Sequence, residues 1–252
     1  MDEPWLAPIR PLLSATDPRP ARRLDPEALN RLAARAGLAT AGGLPLRFVD
    51  ARLAPPGAYE QTIRDTGCVP TRHSPPGMLH DWFNALAWLA FPRLKARLNE
   101  LQAGAIDAAG IGQRRGPLRD AATLFDESGV LFVCRDAELN EALRSFDWQR
   151  LFVAQRARFA DAVTVRIVGH ALFEKLLAPY KALCGHAWII AADPRTPDAE
   201  LDRLAAAAFD EQSLRRGAFA PLPLLGIPGW WPANEDAGFY ADTAVFRPRR
   251  GG

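Results

Sequence analysis

The most pronounced hydrophobic pattern lies in the middle of the chain. After the breaker Pro75-Pro76-Gly77, the segment MLHDWFNALAWLAF (residues 78–91) is apolar on nearly every face, with His80, Asp81 and Asn84 as its only polar side chains. A helix that is apolar all round is a buried one, so the pattern predicts a central helix with its polar groups near its start. Pro92 ends or kinks it. The following RLKARLNELQAGAIDAAG places Leu94, Leu98 and Leu101 on one side, as an amphipathic helix does.

Upstream, Asp25-Pro26-Glu27 has the order of N-cap, first helical residue and first-turn acid, which predicts a helix running to Gly37. Leu44 to Val49 alternates between Gly42-Gly43 and Pro55-Pro56 and is expected to be a strand, followed by a helix over 58–65. Downstream, DAATLFDESGVLFVC (residues 120–134) has two apolar runs around Asp126-Glu127-Ser128-Gly129, which predicts a β-hairpin with Gly129 in its turn. A helix is expected over 138–146, with Trp148 and Phe152 packing after it, a strand over 163–168, and a helix starting directly at His170 after a sharp exit at Gly169. Another strand over 186–191 and a helix over 199–209 follow. The last 35 residues are rich in Pro, Gly and aromatics and predict an irregular wrap across the body. The class is α+β: a Pro-rich surface lead over 1–25, then one domain over 26–252 with a buried central helix, amphipathic helices and short strands.

Composition is that of a globular protein, 48% hydrophobic and 24% charged over 252 residues. A formal charge of +2 gives no strong nucleic-acid signal. All but Lys95, Lys175 and Lys181 of the basic residues are Arg, a bias that suits bidentate anion recognition but also follows from GC-rich coding. Cys68, Cys134 and Cys184 are widely spaced, which excludes a zinc ribbon or disulfide framework and fits reduced thiols in a cytoplasmic protein. The acidic, Pro-rich start lacks the basic residues and apolar run of a signal peptide, and no stretch approaches the roughly 20 apolar residues that span a bilayer.

Four separated phrases, CVPTRHSPPGMLHDWFNALAWLAFPRLKARLNELQ, RDAATLFDESG, GHALFEKLLAP and PLPLLGIPGWW with FYADTAVFRPRR, stand in the same order as in an uncharacterised bacterial family. The chain resembles that family, domain of unknown function 3025, over roughly residues 55 to 250. The resemblance implies one nearly full-length domain in a bacterial cytosolic protein, and no activity or catalytic residue.

Candidate chemistry rests on the residues themselves. His80 and Asn84 share a helix face, with Asp81 beside them, and a helix N-terminus keeps such an imidazole neutral and such a carboxylate ionised. The same residues would equally serve as a cap and its loop contacts. His170 and Glu174 are one turn apart on a second helix, the spacing a helical metal site needs. If the two clusters meet, His80, Asp81, His170 and Glu174 form a mixed nitrogen and oxygen site for one divalent metal, Zn, Mn or Fe. Asp126 and Glu127, with Asp120 before them, are candidate acid-base carboxylates. Arg114, Arg115 and Arg119, and Arg72 within Thr71-Arg72-His73, are candidate anion contacts or salt-bridge partners. There is no G-x-S-x-G, P-loop or G-x-G-x-x-G, so no nucleotide cofactor is indicated, and Cys184 near His186 does not make a catalytic pair. Trp230-Trp231 is a partner platform or a lid on the core. Two readings follow. One is a metal-assisted hydrolase acting on a small molecule, with phosphoesters as one substrate class. The other is a non-catalytic binding or assembly protein that meets a protein partner through its aromatic C-terminal surface. Whether His80 and His170 face one cleft decides between them.

Overall fold

The computed structural model describes residues 3–109, 116–212, 214 and 218–248. In chain order the elements are α1 (Arg10–Thr16), α2 (Pro26–Ala36), β1 (Arg47–Asp50), α3 (Tyr59–Thr66), β2 (Cys68–Thr71), α4 (Met78–Ala90), α5 (Pro92–Ala109), α6 (Pro117–Ser128), β3 (Gly129–Val133), α7 (Ala137–Ser145), α8 (Arg156–Ala162), β4 (Thr164–Ile167), α9 (His170–Lys175), β5 (Cys184–Ile190), α10 (Asp198–Ala208) and β6 (Ala220–Pro223). The architecture is α+β in a single domain. The capping signals behave as their chemistry requires: the Asp25 carboxylate accepts from Glu27 N at 2.9 Å, and Gly37 closes α2 at φ 62°.

Four strands form the main sheet in the order β4-β3-β5-β6, with β3 parallel to β5 and the outer pairs antiparallel. All five residues of β3 are buried. Because side chains alternate across a strand, Val130 and Phe132 enter one core while Leu131 and Val133 enter another. On the first side lie Trp82, Phe83, Leu86 and Trp88 of α4 with Leu172 and Phe173 of α9. On the second lie Leu94, Leu98 and Leu101 of α5, Ala122 and Phe125 of α6, and Leu201 and Ala205 of α10. Each such large apolar side chain contributes about 2–3 kcal/mol gross when buried. Between α4 and α5 the chain turns at Phe91, and the buried Asp202 of α10 accepts from the N-terminal amides of α5 that lack a partner within the helix, Arg93 N at 3.0 Å and Leu94 N at 2.9 Å.

Several expected elements are corrected. Residues 120–134 are not a hairpin: α6 runs through Asp126 and Glu127 to Ser128 and passes straight into β3, and Gly129 has φ −74°, not the positive value of a tight turn. Ala122, Phe125 and Ser128 are the buried positions of α6, a spacing of three that belongs to a helix. The strand expected at 44–49 sits at Arg47–Asp50 and pairs in parallel with β2, which the sequence reading did not identify. α9 starts at His170 as expected and runs to Lys175, with Leu176 as its C-cap. The C-terminal wrap contains an edge strand, β6, whose Pro221 and Pro223 are tolerated because no strand among the described residues pairs with its outer side.

The N-terminal segment is not confined to the surface. Trp5, Leu6, Ile9, Leu13 and Leu24 are buried in the first core, and Thr16 accepts from the Trp82 indole at 3.0 Å. Among the described residues no helix is long and apolar enough to cross a membrane.

Candidate metal centre

Four elements place the polar cluster. His80 stands in the first turn of α4, His170 is the first residue of α9, Asp126 and Glu127 lie in the last turn of α6, and Lys95 in the first turn of α5. Gly169 allows the approach of α9. A Cβ there would lie 2.5 Å from both Ser128 N and Gly129 N, so only glycine lets the β4–α9 turn pass against the α6–β3 junction. The contact is fixed by Val168 N and Gly169 N, which donate to Gly129 O at 3.0 and 2.9 Å. His170 is thereby held beside Asp126 and Glu127.

The two histidine clusters meet. His80 Nε2 and His170 Nε2 are 3.0 Å apart, with ring centroids at 4.6 Å and planes at 76°. Glu127 Oε1 lies 3.9 Å from the first nitrogen and 3.7 Å from the second. A triangle with these sides has a point about 2.1 Å from every corner, the distance at which His and Glu ligate zinc. The opposite nitrogen of each ring faces another carboxylate: Glu174 Oε2 is 3.1 Å from His80 Nδ1, and Asp126 Oδ2 is 3.7 Å from His170 Nδ1. His170 Nδ1 is buried and has no hydrogen-bond partner among the described residues. If both rings carry their proton on Nδ1, each points a proton toward a carboxylate and both Nε2 lone pairs turn toward Glu127. An acceptor of two lone pairs at that point, such as a metal cation, satisfies both rings at once, whereas a hydrogen bond between them uses only one lone pair.

Burial pushes the His170 imidazole down to about 3, Lys95 and His80 adding to the effect, so the ring is neutral. Burial acts to raise the Asp126 carboxyl, but the Lys95 ammonium beside it outweighs burial and holds it below its ordinary value. Burial raises Glu127, and the Asp126 charge raises it further against the pull of His80. Lys95, 3% exposed, bridges Asp126 and the Asn84 carbonyl, the latter at 2.9 Å. Asn84 in turn donates to the Tyr59 hydroxyl at 2.8 Å.

These groups line one cavity of about 340 Å³ with Glu60, Arg72, Asn99, Gln102 and Thr123. The wall is built where two stripes face each other: His80, Asn84 and the Trp88 ring of α4, and the polar residues 95, 99 and 102 of α5. The second stripe was overlooked in the sequence because Leu94, Leu98 and Leu101 dominate that helix, although Lys95, Asn99 and Gln102 recur at helical spacing.

Other expected site residues are placed differently. Asp81 lines the same cavity, but Arg72 holds both its oxygens, with N and Nε at 2.6 and 2.9 Å from Oδ2 and Nη2 at 2.7 Å from Oδ1. Gly77, at φ 89°, leaves the space that this guanidinium fills. Glu174 supports His80 from behind and is not part of the group formed by the two Nε2 atoms and Glu127. Arg119 pairs with Glu60 at 3.6 Å, and Arg114 and Arg115 lie outside the described residues. Asp120 is exposed in the first turn of α6. The Cys184 thiol is pushed up to about 11 by burial and contacts Gly185 O at 3.4 Å, which leaves it inert beside His186. Trp230 is buried, its ring 6.1 Å from Trp5.

Comparison with known proteins adds a family. The family model described as "Protein of unknown function (DUF3025)" matches residues 46–250. No curated protein matches, and no solved structure matches.

Proposed function

The chain belongs to the DUF3025 family of proteins of unknown function, and from its site alone we propose that it is a metal-dependent hydrolase whose single divalent ion is held by His80, His170 and Glu127. The observation that carries this reading is the convergence of His80 Nε2, His170 Nε2 and Glu127 Oε1, at 3.0, 3.7 and 3.9 Å from one another, with a carboxylate facing the far nitrogen of each ring. Metal-ligating histidines nearly always direct their second N–H to such a partner, which sets the tautomer and ring orientation. Two imidazoles and one carboxylate suit zinc, manganese or iron, and three protein ligands leave a coordination position for water or substrate.

A metal there would acidify a water and polarise the oxygen of a bound substrate. The protein groups divide the remaining work. Asp126, with its charge matched by Lys95, orients His170 rather than exchanging protons. Glu174, 40% exposed, orients His80. Glu127, expected to serve in acid-base steps, is assigned to the metal because its oxygen lies within 4 Å of both Nε2 atoms. A phosphoester would call for unpaired cations, yet both cations of the wall have their own carboxylate: Arg72 with Asp81 and Lys95 with Asp126. An ester or amide without formal charge fits better. The assembly reading has less support, since Trp230 is packed inward against Trp5.

Protein stripped with chelator and dialysed against Zn²⁺ or Mn²⁺ tests this, read by metal stoichiometry and by hydrolysis of p-nitrophenyl acetate and p-nitrophenyl phosphate. The expected result is one metal per chain and ester hydrolysis that chelator abolishes and Glu127→Ala lacks. Stoichiometric binding without any metal-dependent hydrolysis would leave a structural metal and contradict the hydrolase.

A further inference from the structure

The wall of the cavity formed by α3 and α5 keeps hydrogen-bonding capacity that the protein itself does not fill. Asn99 is 4% exposed and donates its amide to Glu60 O at 2.9 Å. A backbone carbonyl only accepts, so this bond fixes which way the amide points, and Asn99 Oδ1 has no partner among the described residues. Gln102 is 6% exposed, and its amide nitrogen meets Thr123 Oγ1 at 3.4 Å, leaving Oε1 likewise without a partner among the described residues. Tyr59 accepts from Asn84 at 2.8 Å, while its own hydroxyl proton has no acceptor among the described residues. Burial raises its pKa, with the charges of Asp126 and Asp81 adding to the effect, so that proton is retained. All three side chains line the cavity that contains His80, His170 and Glu127.

Asn99 and Gln102 are more than nine-tenths buried and Tyr59 is 40% exposed, and the two free acceptors and one free donor that line one wall of the cavity describe the complement of something bound. An anion is disfavoured, because amide oxygens face it and the wall's cations, Arg72 and Lys95, are already paired. A cation would take the carbonyls but not the Tyr59 proton. Hydroxyl groups both donate and accept, and so match the whole set. The cavity, about 340 Å³, is at the small end of ligand pockets and admits one ring.

We propose that Tyr59, Asn99 and Gln102 form the recognition subsite for a neutral polyhydroxylated ring, a sugar or cyclic polyol, carried by the substrate of the metal centre. Calling the ligand substrate rests on the hydrolase reading above, whereas the subsite itself does not. Glucose, N-acetylglucosamine and myo-inositol, with glucose 6-phosphate and inorganic phosphate beside them, are titrated calorimetrically into wild-type protein, Tyr59→Phe, Gln102→Leu and Glu127→Gln. Circular dichroism and zinc stoichiometry verify that the first two variants keep fold and metal. The expected result is that at least one neutral ring binds, about tenfold more weakly in Tyr59→Phe and in Gln102→Leu, the loss of about one hydrogen bond, and undiminished in Glu127→Gln. If no neutral ring binds the wild-type protein, if both subsite variants bind as well as wild type, or if phosphate alone binds, the subsite is overturned. Failure of zinc binding with ring binding intact would overturn the metal centre and leave the subsite standing.

Discussion

His170 carries a large electrostatic consequence within the cavity. An unfolded imidazole protonates near 6.5, whereas burial brings the folded one to about 3. Between those values the unfolded chain binds the extra proton, so stability is lost as pH falls through that window. Metal-free protein should therefore show a melting temperature that falls from pH 6.5 downward, with a shallower fall in His170→Gln. An equal fall in both would show that other groups govern the acid limb. Lys95 makes a second residue-scale test. Replacing it with Met leaves the buried Asp126 charge without its partner and should cost about 3–5 kcal/mol, while Lys95→Met with Asp126→Asn should recover a substantial part in denaturant melts. His80 and His170 stood out in the sequence as candidates because few residue types ligate metals and both stand at helix starts, and the structure brings them together. The pairing of Asp81 with Arg72 was not legible, because it depends on a residue nine positions back folding into the space above Gly77.

At the scale of elements, the α6–β3 junction decides the site. Read as a hairpin, Asp126 and Glu127 would have stood at an exposed tip. As the last turn of a helix they face His170 across Gly169. The pattern misled because the apolar run of β3 is buried on both faces and so lacks alternation, and its neighbour α6 shows only two turns of apolar spacing before the acidic pair. α4 and α5 were legible for the opposite reason: each is long and bounded by Pro or Gly, α4 as an unbroken apolar run and α5 with a regular apolar stripe. Gly169→Ala should cost about 1–3 kcal/mol, as overpacking does, and weaken zinc binding at least tenfold by displacing His170. Gly104, in α5 with nothing near its missing Cβ, is the control. Gly104→Ala should stabilise by about 0.5–1 kcal/mol and leave zinc affinity unchanged. Comparable zinc affinity in both variants would remove Gly169 from the account of how the site is built.

Over the whole molecule, the sheet separates two cores, and the cavity forms where α4, on one face, meets α5 and α6, on the other. The α+β class and the single body were readable from the mixture of short strands and helices. The role of the N-terminal segment was not, since its prolines suggested a surface path while Trp5, Ile9 and Leu13 pack inside. Ile9→Ala, at a fully buried position, should cost about 2–5 kcal/mol. A change near zero in its unfolding free energy would mean that the segment is peripheral to stability. The central claim is that His80, His170 and Glu127 bind one metal, and anomalous diffraction at the zinc edge from zinc-loaded crystals tests it most directly. The account predicts one strong peak at about 2.1 Å from both Nε2 atoms and a Glu127 oxygen. A zinc peak bound elsewhere, or none at this site under saturating zinc, would contradict it.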